Sequence, residues 1–260
     1  MDIITKGKLQ KISLNKAKKI MLNILIEFDR VCHRHNLTYW LDYGTMLGAI
    51  RHNGFIPYDD DIDIAMPRDD YEVFLKIYHQ ELPHSLFLQT KNSDPSFPQY
   101  YTKIRNTETI FIEHEEEEKE VKYNQGIFID IFPVNFIDKH IALAYKSLSF
   151  LGKFLKSNRV YMKYIDTDLY KYYIFLLNKM HNQKGELLVK GPEIDDKTVF
   201  FEKNDFFPLK EVEFEKYKFP VPHNHDKYLT KLYGDYMTML PIEEREKIRH
   251  SHEIYIFHTG

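Results

Sequence analysis

Between Tyr58 and Met66 the chain reads Tyr58-Asp59-Asp60-Asp61-Ile62-Asp63-Ile64-Ala65-Met66, an acidic run that passes directly into apolar alternation. Side chains at i and i+2 of a strand share a face. The pattern therefore predicts a strand over Asp61–Met66, with Asp61 and Asp63 on one side and Ile62 and Ile64 buried on the other. An acidic surface turn would also read as an Asp run, but the alternation continues into Ile64 and Met66 and sets the Asp face at the edge of a core. Adjacent carboxylates repel and raise each other's pKa, so leaving them side by side without a cation costs stability. Asp61 and Asp63 make a seat for Mg2+, or Mn2+, which takes one or two carboxylates and leaves room for waters and phosphates.

The flanking sequence supplies a frame for that strand. Leu14, Ala17, Ile20, Ile24, Phe28 and Val31 recur at spacings of three and four, which predicts a helix from Ser13 as N-cap to His35, with Asn36 as a left-handed stop. Thr38–Asp42 reads as a short strand and Gly44–His52 as a short helix ended by Asn53-Gly54. Beyond Pro67, Asp69 can cap a helix whose core side is Tyr71, Phe74, Leu75 and Tyr78. Strands are expected at Leu86–Thr90, Tyr100–Arg105, Thr109–Ile112 and Ile127–Phe132, the last carrying Asp130. The dense acidic run Glu113–Glu120 reads as a solvated loop.

Lys139–Lys190 holds ten basic residues against three acidic ones and reads as two or three amphipathic helices. Solvated lysine faces on packing helices account for that composition, and so does docking on an anionic membrane face. Strand-like pieces such as Val212–Phe219 and a helix at Asp226–Tyr233 follow. The expected fold is α/β (α+β): a mixed β-sheet core flanked by helices, one domain over residues 1–260, with a basic helical insertion over 139–196.

Charge excludes a nucleic-acid-coating protein, since 36 Lys and Arg face 39 Asp and Glu. The single cysteine, Cys32, cannot make an internal disulfide, and the start of the chain lacks the apolar stretch of a signal peptide. Both point to the cytoplasm, with peripheral contact at the inner face of the membrane as an addition.

Gly44-Thr45 opens a helix straight after a strand, where free backbone N–H groups and a hydroxyl suit a phosphate. Arg51 offers a forked donor to phosphate oxygens, and Asp130 a third carboxylate as general base or metal ligand. Lys103 and Arg105 share a strand face, which suits either a diphosphate site or a plain surface ladder of basic side chains. The histidines His223, His225, His250, His252 and His258 include two His-x-His pairs, weak evidence for zinc without cysteines or a helical spacing.

A glycine-plus-hydroxyl turn, a strand with acid-x-acid and a third acid on a neighbouring strand together resemble the nucleotidyltransferase superfamily. The stretch from Tyr39-Trp40-Leu41-Asp42-Tyr43-Gly44-Thr45-Met46-Leu47-Gly48 through Arg51 and Pro57 to Asp63 resembles the signature of the LicD family of phosphocholine transferases, a branch that includes the fukutin-related enzymes. Met66-Pro67-Arg68-Asp69-Asp70-Tyr71 looks like its continuation and Gly126-Ile127-Phe128-Ile129-Asp130-Ile131-Phe132-Pro133 like its third motif. Phe207-Pro208-Leu209 and Tyr228 through Gly234 look like its C-terminal portion. Tyr58 departs from a frequent Trp and keeps an aromatic. The likeness spans the chain except for about Lys139 to Asp196.

The resemblance implies a nucleotidyltransferase-like fold and transfer of phosphocholine from CDP-choline to a sugar hydroxyl of a lipid-linked or surface-glycan precursor, of the lipopolysaccharide or teichoic acid kind, with release of CMP. It implies Asp61 and Asp63 as magnesium ligands, Arg51 stabilising charge on the bridging oxygen, and Asp130 as base or third ligand. Trp40, Tyr43 and Tyr58 are candidates to hold the quaternary ammonium by cation–π attraction. Transfer of glycerol or ribitol phosphate from its CDP form, nucleotidyl transfer to a small molecule, and a non-catalytic binding module are the competing readings.

Overall fold

The computed structural model describes residues 8–117, 119–157, 167–194, 198–245 and 249–258. The start of the chain before Lys8 and the middle of the basic insertion, including Arg159, Lys163 and Asp166, lie outside the described residues. In chain order the strands are β1 (Lys8–Lys11), β2 (Trp40–Leu41), β3 (Asp63–Pro67), β4 (Leu86–Gln89), β5 (Thr102–Asn106), β6 (Thr109–Glu113), β7 (Phe128–Ile137), β8 (Leu187–Lys190), β9 (Phe201–Glu202), β10 (Lys210–Phe214), β11 (Tyr217–Val221) and β12 (Ser251–His258). The first four helices are α1 (Leu14–His35), α2 (Tyr43–His52), α3 (Arg68–Glu81) and α4 (Ala142–Ser157).

The main sheet runs β2-β3-β7-β5-β4, with β8 and then β9 joined through β7. Among the described strands only β3 and β7 pair in parallel; β2, β5 and β8 meet their neighbours antiparallel. This is the mixed sheet with flanking helices that the sequence leads one to expect. A second sheet, β1-β12-β6, brings the two ends of the described chain together, and β10-β11 form a hairpin.

Amphipathic spacing explains the helices. Ser13 accepts the Lys16 N–H to cap α1, and Asn36 ends it in the left-handed region at φ 53°. Ala17, Met21, Ile24, Leu25, Phe28 and Val31 of α1 are buried in the main core with Ile62, Ile64, Ile129 and Ile131 of the sheet region. Burial of side chains of this size contributes about 1.5–3 kcal/mol each before entropy is counted.

Four expectations need correction. The strand carrying the acidic run starts at Asp63, since the β3 ladder to β7 begins at the Asp63–Asp130 pair; Asp61 precedes the strand. β7 does not stop at Phe132 but continues to Ile137. Pro133 is tolerated because it falls in the gap between the β5 partners of β7, which end at Ile131, and the β8 partners, which begin at Val134; its missing N–H breaks neither of those ladders. The basic stretch is helical in α4 and Thr167–Asn178 but returns to the sheet as β8, with Lys190 opposite Val134. Finally, the acidic run after β6 is not wholly solvated. Glu116 is buried, closes a capping box with Glu113, and receives Tyr123 Oη and Gln125 Nε2.

The insertion is clamped to the sheet by one buried network. Arg68, at the start of α3, donates to both oxygens of Glu193 at 2.9 and 2.8 Å and to Asn135 of β7 at 2.9 Å. Asn178 donates to the same Glu193 at 2.9 Å. Gly191 leaves room for the pair, as a Cβ there would lie 2.5 Å from Arg68 Nη2 and 2.4 Å from Glu193 Oε2. Removing one member of a buried pair leaves an uncompensated charge. Glu193→Ala is expected to lower unfolding free energy by about 3–5 kcal/mol in urea titrations; a loss below about 1 kcal/mol, the scale of a surface pair, would contradict this account of the clamp.

Candidate active site

The parallel register sets Asp63 of β3 beside Asp130 of β7, and the antiparallel register sets Asp130 beside Lys103 of β5. One row across three central strands therefore reads carboxylate, carboxylate, ammonium, and all three side chains are buried. Lys103 Nζ lies 3.0 Å from Asp130, 3.7 Å from Glu113, and 3.3 Å from the centre of the Phe128 ring. Asp61 reaches the same neighbourhood from the segment before β3, with the His250 imidazole at 3.6 Å.

Burial and mutual repulsion hold these acids toward their protonated forms. Asp63 is pushed well above the usual carboxylate range by burial and then by Asp61, Asp130 and Asp59. Burial also raises Asp61. Asp59 is pushed up to about 8 by burial and by Asp61 and Asp60. Asp130 rises to about 6 through burial, with Lys103 pulling the other way. Three of these acids, Asp61, Asp63 and Asp130, face one lysine, Lys103, and a divalent cation would compensate the charge that their deprotonation creates.

Each acid is positioned by a specific neighbour. The Thr45 hydroxyl accepts the Asp63 N–H at 2.8 Å, so this hydroxyl fixes the strand start. Asp60 is fully buried and accepts the His250 and Ser251 N–H groups at 2.9 and 2.7 Å, which anchors the start of β12 on the acidic run. Lys18 of α1 donates to the Ile56 and Pro57 carbonyls at 2.8 and 3.0 Å and so holds the loop that delivers the run.

Over the acids opens a cleft of about 380 Å³. Of the residues singled out from sequence, Tyr43, Gly44, Arg51, Tyr58, Asp61 and Asp63 line it. Gly44 is required to be small, because a Cβ would stand 2.7 Å from Asp59 Oδ2. Tyr43 begins α2 at φ 39°, a left-handed conformation uncommon outside glycine. Its ring packs edge-on to Phe132 at 5.7 Å, with Lys190 Nζ 4.4 Å from its centre. Arg51 donates to the Tyr236 carbonyl at 2.6 Å, tying α2 to the segment that follows the helix His225–Tyr233. Asp130 and Lys103 sit behind Asp63 and do not line the cleft.

Three more residues singled out from sequence go elsewhere, and one of them is Thr45, buried with its hydroxyl engaged by the Asp63 N–H. Trp40 is fully buried against Phe206 and Phe207, with ring centres 5.3 and 6.1 Å away. Arg105 is buried too, donating to Gln89 Oε1 and at 2.8 Å to the Gly126 carbonyl. Conversely, Tyr233, Tyr236 and His250 line the cleft, and Asp42 binds Lys190 and Tyr228 beneath it. Tyr233 and Tyr236 come from a segment distant in sequence that no local spacing marks, while His250 shows in the sequence only as one half of a His-x-His pair. Asp59 also lines the cleft, and only its place in the acidic run could have found it.

Residues 36–150 match the LicD/FKTN/FKRP nucleotidyltransferase domain. Over 273 aligned residues the chain is 29% identical to the lipopolysaccharide cholinephosphotransferase LicD of Haemophilus influenzae, a match that takes in 95% of this chain and 100% of that protein. It is 31% identical over 144 residues to an uncharacterized protein of Rickettsia prowazekii, covering 55% of this chain and 51% of that one. The matched segment runs from the end of α1 through the acidic row to α4, so it contains the strands that carry Asp63, Lys103 and Asp130. That segment is similar to the LicD/FKTN/FKRP nucleotidyltransferase domain, and similarity to the Haemophilus protein extends over nearly the whole chain.

Proposed function

We propose that the chain transfers phosphocholine from CDP-choline to a sugar hydroxyl of a lipid-linked or glycan precursor, releasing CMP, with Mg2+ or Mn2+ held by Asp61, Asp63 and Asp130. The observation that carries this reading is a buried acidic row beneath a cleft walled by tyrosines. Phosphoryl transfer needs positioning and charge neutralisation more than covalent help from the protein. A bound divalent cation supplies Lewis-acid polarisation of the diphosphate there. The match to the Haemophilus protein, named for choline phosphate transfer to lipopolysaccharide, supports the same cargo and acceptor class.

The protein's own groups then divide the work. Gly44, bare of a side chain, and the first-turn N–H groups of α2 receive the diphosphate. Arg51, steadied by the Tyr236 carbonyl, stabilises charge on the oxygen that leaves with CMP. Asp130 stands behind Asp63, paired with Lys103 and outside the cleft lining, so a part in holding the cation would need the acids to draw together around it. Tyr43, Tyr58, Tyr233 and Tyr236 line the cleft, and the cations already over two of these rings, Lys190 at Tyr43 and Arg245 at Tyr58, illustrate the cation–π attraction a quaternary ammonium would use. A polyol phosphate carries no such cation, so the aromatic walls favour choline over glycerol or ribitol.

A lipid-linked acceptor calls for contact with a membrane face. No helix among the described residues is long and apolar enough to cross one. The insertion helices do expose Leu143, Phe150, Leu151, Tyr172 and Phe175, among the exposed lysines Lys146, Lys171 and Lys179. Apolar anchors among basic side chains suit peripheral docking on anionic lipid. Phosphatidylglycerol vesicles are expected to float the wild-type protein and to lose it when Leu143 and Phe150 become Ser; equal flotation of the double variant would remove this docking surface.

CMP release, measured with CDP-choline, CDP-glycerol and CDP-ribitol in turn, is expected to be fastest with choline and to require the divalent cation. Asp61→Asn and Asp63→Asn are each expected to slow it by ~100-fold or more, the scale of losing one essential charge-stabilising group. Pyrophosphate released from a nucleoside triphosphate, with no CMP from any of the three donors, would favour nucleotidyl transfer instead.

The raised carboxyls also set the pH dependence of stability. Above about pH 4 the unfolded chain has lost these protons, while folded Asp130 keeps its own to about 6 and Asp59 to about 8. The native state binds more protons over that window, so stability falls as pH rises through it. Melting temperatures in chelator should decline from about pH 5 to about pH 8, and Mg2+ should flatten the decline. A metal-free profile that rises over the same range would contradict the acidic cluster.

A further inference from the structure

Outside the cleft, the second sheet brings together a set of side chains that the transfer reaction does not use. His114 and Glu117 lie on the turn after β6, and His252 lies near the start of β12. Their ligand atoms stand within 4.8 Å of one another, the one such group of three among the described residues. His252 Nε2 is 3.2 Å from Glu117 Oε1, and the two imidazole rings have centres 5.5 Å apart at 67°. We propose that His114, Glu117 and His252 form a transition-metal site of the zinc class, separate from the cation site at Asp61 and Asp63, which staples β12 onto the β6 turn.

Three features build the site. The β12–β6 register is broken between Ser251 and Glu253, at His252 itself, and such irregularities re-aim one side chain out of the ladder. The turn opposite is fixed in advance: the His114 N–H donates to the His250 carbonyl at 2.9 Å, and buried Glu116 closes the Glu113 capping box. The donors are two imidazoles and one carboxylate, a set that binds zinc and leaves a fourth position for water. The cleft is dominated by carboxylate oxygens, with the single His250 imidazole beside Asp61, a set that suits magnesium. The His114 site, with two imidazoles to one carboxylate, leans to zinc by ligand chemistry.

The site sits next to the functional machinery without joining it. His250 and Ser251, just before His252, hold Asp60 through their N–H groups, and the His250 ring faces Asp61. A metal at His252 would fasten the strand that pins the acidic run.

The test uses tag-free full-length protein stripped by chelator and titrated with ZnCl2 alone, followed by calorimetry and by melting temperature. Wild type is expected to bind one equivalent with a rise in melting temperature, unaffected by excess MgCl2. His252→Ala and His114→Ala, on different segments, are each expected to weaken binding by ~100-fold or more, beyond the ~10–100-fold that outer-sphere partners cost. Asp61→Asn with Asp63→Asn should retain wild-type zinc affinity. Equal affinity in both histidine variants, loss of zinc in the double Asp variant, or no stoichiometric zinc in the wild type would each overturn the proposal.

Discussion

The row Lys103, Asp130, Asp63 across β5, β7 and β3 is the constraint around which the rest of the molecule is arranged. Taking charges out of water is costly unless they are paired. This row buries two acids against one base and adds Asp61 and Asp59 beside them. An arrangement of that kind lowers stability, and a functional site is where such a cost is retained. The elevated carboxyls are its physical signature.

Much of the surrounding structure serves to keep the row in place. Thr45 fixes the first residue of β3, Lys18 holds the approaching loop, and Asp60 fastens the last strand to the same run. The Arg68–Glu193 network ties the basic insertion to the end of α3 nearest β3. None of these residues lines the cleft, yet each limits how far the acids can spread. Precision at the site therefore comes from buried polar contacts more than from the apolar core.

What the chain made legible before its structure was local in origin. The period of α1 and its Ser13 and Asn36 caps follow from spacing alone; Asp61 and Asp63 both line the cleft, but Asp61 does so from the segment before β3 and not from a shared strand face. Asp130 was found as a lone acid on an apolar strand, and the register gives it a position beside Asp63. What stayed hidden is non-local. Nothing in Trp40 or Arg105 announces that each turns into the core, because both belong to residue types equally at home in a site. The β10-β11 hairpin was unreadable because its turn residues, Glu215 and Lys216, both hold positive φ without being Asn or Gly; Glu215 is held there by the Asn53 carbonyl and the Phe55 N–H. The return of the insertion to the sheet at Leu187 was masked by the basic composition before it.

In the proposed reaction the acidic row directs attack to the phosphorus next to choline, so that the nucleotide leaves. Isotopic labelling of the two phosphorus atoms of CDP-choline, one at a time, followed by analysis of the glycan product, tests this most directly. The choline-side label should appear on the acceptor together with choline, and the nucleotide-side label should remain in CMP. Nucleotide-side phosphorus on the acceptor would contradict the account.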